Sequence, residues 1–306
     1  MLTNSFVTAS LYTEIFRSLI LVYRSQYRRP PPILIEGNQL DSINEALYEL
    51  GDVSFSQFNS PTELSKNALV ILFTPSGKFK YDSSVCEIIN GEKYISTFLS
   101  VTNSLPNLPT MLSPRKLSMV YAAAFLRSIS ARPVFEGGVY MGGGTIFLHK
   151  VFSALKLDKP IYSFDTFSGM PEPHERDSPS GEFHFSEGTF AEATFDKVVA
   201  NLAAAGIDAK DRLFCSRIDE SFTHIKLING SDLAILDMDS YLGIFHALEI
   251  MCTVGSDDFL CIVDDCTLAG VRRAILDICD RYDVLFNEVM VNLAVVAKPR
   301  LGRYWA

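Results

Sequence analysis

The sequence predicts an α/β protein: a doubly wound, mostly parallel sheet with an antiparallel end, preceded by a small α/β unit. Three observations lead there. From Pro133 onward, short apolar runs alternate with helical patterns, as in a series of β-α-β units. The first run passes directly into the glycine-rich stretch Glu136-Gly-Gly-Val-Tyr-Met-Gly-Gly-Gly-Thr145, and the second ends in Asp165, a separation that fits one β-α-β unit. The last two runs, Val284–Val289 and Leu293–Ala297, follow each other closely and are expected to pair antiparallel.

A chain of 306 residues is long for one domain, and two are expected. With 48% hydrophobic and 21% charged residues it can bury a sizeable core without cross-links. A net charge of −9 argues against nucleic acid, which needs a basic face. The six cysteines (Cys86, Cys215, Cys252, Cys261, Cys266, Cys279) form no Cys-x-x-Cys pair, and several sit inside apolar patterns. They are expected to be reduced core residues of a cytoplasmic protein. No signal peptide is expected. The apolar stretch Ser18–Tyr23 is flanked or interrupted by Glu14, Arg17 and Arg24, too short and too charged for a membrane span. It predicts an amphipathic helix packed on the body of the protein or on a second subunit. A homo-oligomer, in the form of a dimer, is expected, with no membrane partner.

In chain order, residues 1–32 form a helical arm that Arg29-Pro-Pro-Pro32 stops. Residues 33–112 form the small α/β domain. Its strands are Ile33–Glu36, Val53–Phe58 and Ala68–Phe73, and its helices Asp41–Leu50 and Pro61–Lys66. Residues 76–112 are polar, and Ser104–Pro114, with three prolines, is expected to be a linker. Residues 113–306 form the main domain, which opens with a helix over Ser113–Ile129. Strand Val134–Phe135, helix Thr145–Leu155 and strand Ile161–Phe164 follow. Helix Phe195–Ala205 and strands Arg212–Cys215 and Leu233–Leu236 come next. Helix Tyr241–Thr253, strand Phe259–Val263, helix Gly270–Tyr282 and the closing strand pair complete the pattern.

The chemistry-bearing residues sit at strand ends. A parallel strand ending in an acid presents it at the carboxyl edge of the sheet, where it can accept hydrogen bonds from ribose hydroxyls. Asp165 beside the glycine loop therefore points to a nucleotide-type cofactor. Leu236-Asp-Met-Asp-Ser-Tyr241 and Val263-Asp-Asp-Cys266 end the next two strands, so Asp237, Asp264 and Asp265 converge on the same edge. Three such carboxylates repel one another, and a hard cation such as Mg²⁺ or Mn²⁺ resolves that. Helix capping explains Asp239 or Asp264 singly, but not a doublet facing another acid. Among the histidines, His149 and His246 fall inside helices. His174 and His184 lie in Pro171–Phe190, a Gly/Pro/Ser-rich segment suited to a lid.

These motifs carry a resemblance. Phe164-Asp-Thr-Phe-Ser-Gly-Met-Pro-Glu-Pro173 resembles the Phe-Asp-Thr-Phe-Glu-Gly-Met-Pro of the macrocin O-methyltransferase family, and the likeness runs from about Pro114 to the C-terminus. Glu136, Gly138, Val139, Gly142 and Gly143 match the family's glycine loop, with Gly144 where the family has Ser and Thr145 placed to supply the hydroxyl. Asp237, Asp239 and Tyr241 match Leu-Asp-Gly-Asp-x-Tyr, and Asp264 and Asp265 match Val-Asp-Asp-Tyr. Met238 and Cys266 depart from these patterns, and Ser216–Phe222 is a weaker match beside the adenine. The resemblance implies a Rossmann-like methyltransferase that uses S-adenosylmethionine (SAM) and a divalent metal to methylate a sugar or secondary-metabolite hydroxyl. It implies cofactor contacts at Glu136, Gly138, Tyr140, Gly142, Gly143, Thr145, Asp165 and Thr166. It implies metal ligands Asp237, Asp264 and Asp265, with Asp237 also the general base. Two other classes stay open at this level: an NAD-binding Rossmann oxidoreductase, and a non-catalytic protein that binds SAM or a partner.

Overall fold

A computed structural model describes residues 14–28, 33–36, 69–72, 87–178, 180 and 185–300. Helix α1 covers residues 14–24. Strands β1 (Ile33–Glu36), β2 (Leu69–Leu72) and β3 (Glu87–Asn90) form a parallel three-stranded sheet in the order β1-β2-β3. Helix α2 (Gly91–Asn103) follows β3 directly, its N-terminus capped by Asn90, whose side chain accepts from Lys93 N. The sequence reading of 76–112 as polar is corrected here. Tyr94, Phe98 and Val101 lie one helical turn apart and are all buried, which outweighs the polar residues between them. The expected elements Asp41–Leu50, Val53–Phe58 and Pro61–Lys66, together with His184 and Cys86, lie outside the described residues.

Helix α3 (Pro114–Leu126) starts with Pro at its first position and Ser113 as N-cap. The elements that follow are β4 (Val134–Gly137), α4 (Gly143–Ala154), β5 (Ile161–Asp165), α5 (Phe195–Ala204), β6 (Leu213–Cys215) and α6 (Ile225–Ile228). Then come β7 (Leu233–Leu236), α7 (Tyr241–Val254), β8 (Leu260–Asp264), α8 (Ala269–Arg281), β9 (Leu285–Met290) and β10 (Leu293–Ala297). The seven-stranded sheet runs β6-β5-β4-β7-β8-β10-β9. All neighbours are parallel except β10, which is antiparallel to both β8 and β9. This is the doubly wound sheet with an antiparallel end that the sequence predicts.

Strand residues alternate between two apolar layers. Val134, Ile161, Leu233, Leu260 and Val295 face one cluster, and Phe135, Phe164, Ala234, Cys261 and Val296 face the other. The first layer also holds α3, α4, the small sheet, and Ile15, Phe16 and Leu19 of α1, so one continuous core crosses residue 113. Specific contacts join it: Tyr121 OH donates to Tyr94 O at 2.5 Å, and the hydroxyls of Ser18 and Ser118 lie 2.6 Å apart. Helix α1 is thus the amphipathic helix packed on the body that its sequence predicts. Among the described residues no helix is long and apolar enough to cross a membrane.

Candidate active site

Register places the site. Gly137 pairs with Phe164 and Leu236, and Leu236 with Val263. The next residue on each of these strands, Gly138, Asp165, Asp237 and Asp264, therefore stands in one row along the carboxyl edge. The strand order reverses between β4 and β7, and a crevice forms at such a switch point. A cavity of about 620 Å³ opens there, with the glycine loop at one end and the acids at the other. That lies within the roughly 300–1,000 Å³ of small-molecule sites.

At the loop end, Asp165 organises the backbone. Its Oδ2 accepts from Val139 N at 2.7 Å and Tyr140 N at 3.0 Å, and its Oδ1 from Phe167 N at 2.9 Å. Oδ2 thus accepts two bonds, while Oδ1 accepts one and keeps lone-pair capacity for a further donor. Glu136 is buried, and its Oε2 accepts from Thr145 Oγ1 at 2.6 Å and Ser163 Oγ at 2.5 Å. Burial pushes its carboxyl up to about 7, against the opposing pull of those hydroxyls. Thr145 thus brings a hydroxyl to Glu136 from the position next to Gly144. A Cβ at Gly144 would lie 2.6 Å from Glu136 Oε1, so a side chain there would crowd the carboxylate. Gly138 has φ +84°, and a Cβ on it would lie 1.8 Å from the Asp237 carbonyl oxygen. The close approach at this glycine is therefore to the chain itself.

Tyr140, Gly143 and Thr166 line the cavity, as do Ser216–Asp219 from the weaker motif. Gly142 and Thr145 stand behind it: Gly142 caps α4 with φ +87° and packs towards Val198, and Thr145 acts on Glu136. His174 is also structural, capping the short 3₁₀ turn Glu175–Asp177 and stacking on Tyr241 with ring centroids 5.1 Å apart.

At the acid end, Asp237, Asp239 and Asp265 each bring a carboxylate oxygen within 4.8 Å of the others. Asp264 adjoins them, and its Oδ1 meets Lys116 Nζ at 2.5 Å and accepts from Asp265 N at 2.9 Å. Burial, then the charges of Asp264, Asp239 and Asp265, hold the Asp237 carboxyl well above the usual range. Burial, then Asp265, pushes Asp239 up to about 7. Asp239 is no helix cap. Its Oδ1 is buried and has no hydrogen-bond partner, while the first turn of α7 is capped by Asp177, whose Oδ1 accepts from Tyr241 N at 2.6 Å. Its place in the cluster escapes the sequence reading because Asp before a helix suggests a cap. The doubled Asp-x-Asp, with only one position able to cap, was the available signal. Met238 lies across the glycine floor, with its sulfur 3.0 Å from where a Gly137 Cβ would be. Cys266 is buried, and burial pushes its thiol up to about 11.

The family model for macrocin-O-methyltransferase (TylF) matches residues 110–293, well over half of the chain. The protein belongs to the macrocin O-methyltransferase family. Among solved structures, the O-methyltransferase NovP shares the fold, with a TM-score of 0.56 and 14% identity over 68% of this chain and 99% of its own. A calicheamicin methyltransferase gives a TM-score of 0.47 and 19% identity over 67% and 91%. The O-methyltransferase TomG of Streptomyces achromogenes gives 0.39 and 14% over 67% and 88%. The comparison with curated protein sequences gives no match. In this macrocin O-methyltransferase family member, the matched region opens at the Pro109–Leu112 wall of the cavity and closes at Leu293, beside Asp264.

Proposed function

We propose that this macrocin O-methyltransferase family member transfers the methyl group of SAM to one hydroxyl of a vicinal diol on a small-molecule acceptor, with a divalent metal. A sugar or another secondary metabolite is the acceptor class, in keeping with the family name. The observation that carries the reading is the single row Gly138–Asp165–Asp237–Asp264, which joins a nucleoside-type site and an acid cluster in one cavity. A dehydrogenase would use the first half and leave the second unexplained.

Asp165 would receive a ribose hydroxyl on the remaining lone pair of Oδ1, and Glu136 the amino group of the methionine part. Ser216–Asp219 would border the adenine. The acid cluster fits a hard cation: its donors are all oxygen, and Asp239 Oδ1 is buried without a partner. Asp237, Asp264 and Asp265 would hold it, with Asp239 completing the wall. A bound divalent cation supplies Lewis acidity towards an acceptor hydroxyl. Asp237 takes the hydroxyl proton on its carboxylate as the oxygen–methyl bond forms and the sulfonium–methyl bond breaks, which leaves S-adenosylhomocysteine and a methyl ether. The rest of the cavity orients the two reactants and excludes water. A hard cation held by Asp237, Asp264 and Asp265 would favour an acceptor that brings it two neighbouring oxygens, hence a vicinal diol. The part before residue 113 serves as support, because its helices share the core of the main sheet.

Thermal-shift titrations test the cofactor. SAM and S-adenosylhomocysteine should stabilise the protein, NAD should not, and Asp165→Ala should lose most of the SAM response. Stabilisation by NAD, or an undiminished SAM response in Asp165→Ala, would overturn the assignment.

A further inference from the structure

Lys116 is used by none of the chemistry above, yet its ammonium sits in the cavity wall against both members of the aspartate doublet. Nζ lies 2.5 Å from Asp264 Oδ1 and 3.2 Å from Asp265 Oδ1. The side chain is only 16% exposed. It comes from the first turn of α3, which holds no acidic residue. A cation there opposes the helix dipole, so the local rule is broken at this position. Such violations mark places where tertiary function outweighs local preference. The other anchors of the doublet do not depend on Lys116. Asp264 Oδ1 also accepts from Asp265 N at 2.9 Å, and Asp265 Oδ1 also accepts from Asn292 Nδ2 at the tip of the β9–β10 hairpin.

We propose that Lys116 is a positioning residue that acts as the resident counter-charge of the acid cluster and sets how tightly that cluster holds a divalent cation. This rests on the metal reading above. Two effects oppose each other. Lys116 orders the doublet, which favours cation binding, and its charge repels a divalent ion a few ångströms away, which disfavours it. The second should win, because Asp265 N and Asn292 keep both carboxylates oriented without Lys116. Four acids with one internal cation then form a site that binds metal reversibly. The same four without it would repel one another until metal arrived.

The test is calorimetric titration of the full chain with Mn²⁺ alone, after chelation, in wild type, Lys116→Met and Lys116→Arg. Lys116→Met should bind Mn²⁺ at least tenfold more tightly than wild type and be less stable than wild type before Mn²⁺ is added. Lys116→Arg, which keeps the charge, should match wild type. Should Lys116→Met fail to fold, Lys116→Gln carries the same expectation with a polar side chain. Affinity in the neutral variants equal to or weaker than wild type overturns the role of Lys116 and leaves the metal reading intact. No Mn²⁺ binding by any of the proteins overturns the metal reading and this inference with it.

Discussion

Asp177 offers the sharpest structural test, because one side chain from the segment after β5 caps a helix that begins 64 residues later. Its Oδ1 accepts from Tyr241 N at 2.6 Å, and its Oδ2 from His174 N at 2.8 Å. The helix's own N-cap, Ser240, makes no side-chain cap bond. Asp177→Ala therefore leaves the first turn of α7 uncapped and strands an N–H at a buried tyrosine. Loss of a cap costs about 0.5–2 kcal/mol, and an unsatisfied buried donor about 1–3. Those overlap, so about 2 kcal/mol is expected, or roughly 4 °C in Tm for a chain of this size. Gly270 at the start of α8 supplies the control. A Cβ there would lie 2.0 Å from Asp177 Oδ1, so Gly270→Ala must push the carboxylate off its partner. In an Asp177→Ala background the clash with the carboxylate is gone and only the closer approach to the Asp177 Cα, at 2.9 Å, remains. Urea unfolding of wild type, both single variants and the double variant should show a coupling of about 1 kcal/mol or more, the double variant being less destabilised than the sum. Strict additivity, or an Asp177→Ala protein as stable as wild type, would refute the cap.

Three further expectations concern the site. Asp237→Asn keeps shape and one ligand oxygen but loses basicity, so turnover should fall about a hundredfold or more while SAM affinity, read by calorimetry, stays near wild type. Gly138→Ala must place a Cβ 1.8 Å from the Asp237 carbonyl at φ +84°, and should lower stability and turnover together in parallel unfolding and activity assays. Glu136, raised from 4.5 to about 7, binds its proton more tightly folded than unfolded, so the stability it contributes is full below about pH 4.5 and is lost as pH rises through about 7. Across that window wild type should lose about 3 kcal/mol relative to Glu136→Gln, measured as the difference between their unfolding free energies at each pH.

The main sheet was legible because its central strands are short apolar runs, with β4, β7, β8 and β10 buried along their whole length. Register then did what the sequence alone implies: it set the residue after each run in one row. Asp165, Asp237 and Asp264 could be read off for that reason. The small sheet and α2 were harder. Glu92, Lys93, Ser96 and Ser100 interleave with the apolar residues, and the one-turn spacing of Tyr94, Phe98 and Val101 marks the buried face. Lys116 and Asn292 carry no spacing relation to the acids they touch, since tertiary packing alone brings α3 and the β9–β10 hairpin to that edge. Asp177 was hidden in the same way, inside Pro171–Phe190, whose composition suggests a lid and not a helix cap.

The acid loop Asp237–Tyr241 is held from three sides, and the three holds have different origins. Beneath it, Gly138 lets the first β-α turn press against the Asp237 carbonyl, a contact that only a residue without Cβ allows. Beyond it, Asp177 fixes the amide of Tyr241, while Arg176 reaches both Tyr241 OH and Asp277, the latter at 2.7 Å. Across from it, Lys116 and Asn292 steady Asp265. Asp239 and Asp265 both sit at positive φ, 53° and 50°, which costs backbone energy unless the surroundings impose it. With both neighbours of the loop anchored, that conformation is imposed rather than sampled. A cluster of repelling carboxylates would otherwise relax by swinging apart. The geometry at the acid end is therefore a property of α3, the segment after β5 and the hairpin together, and changes in any of these should be felt at Asp237 before they are felt at Asp165.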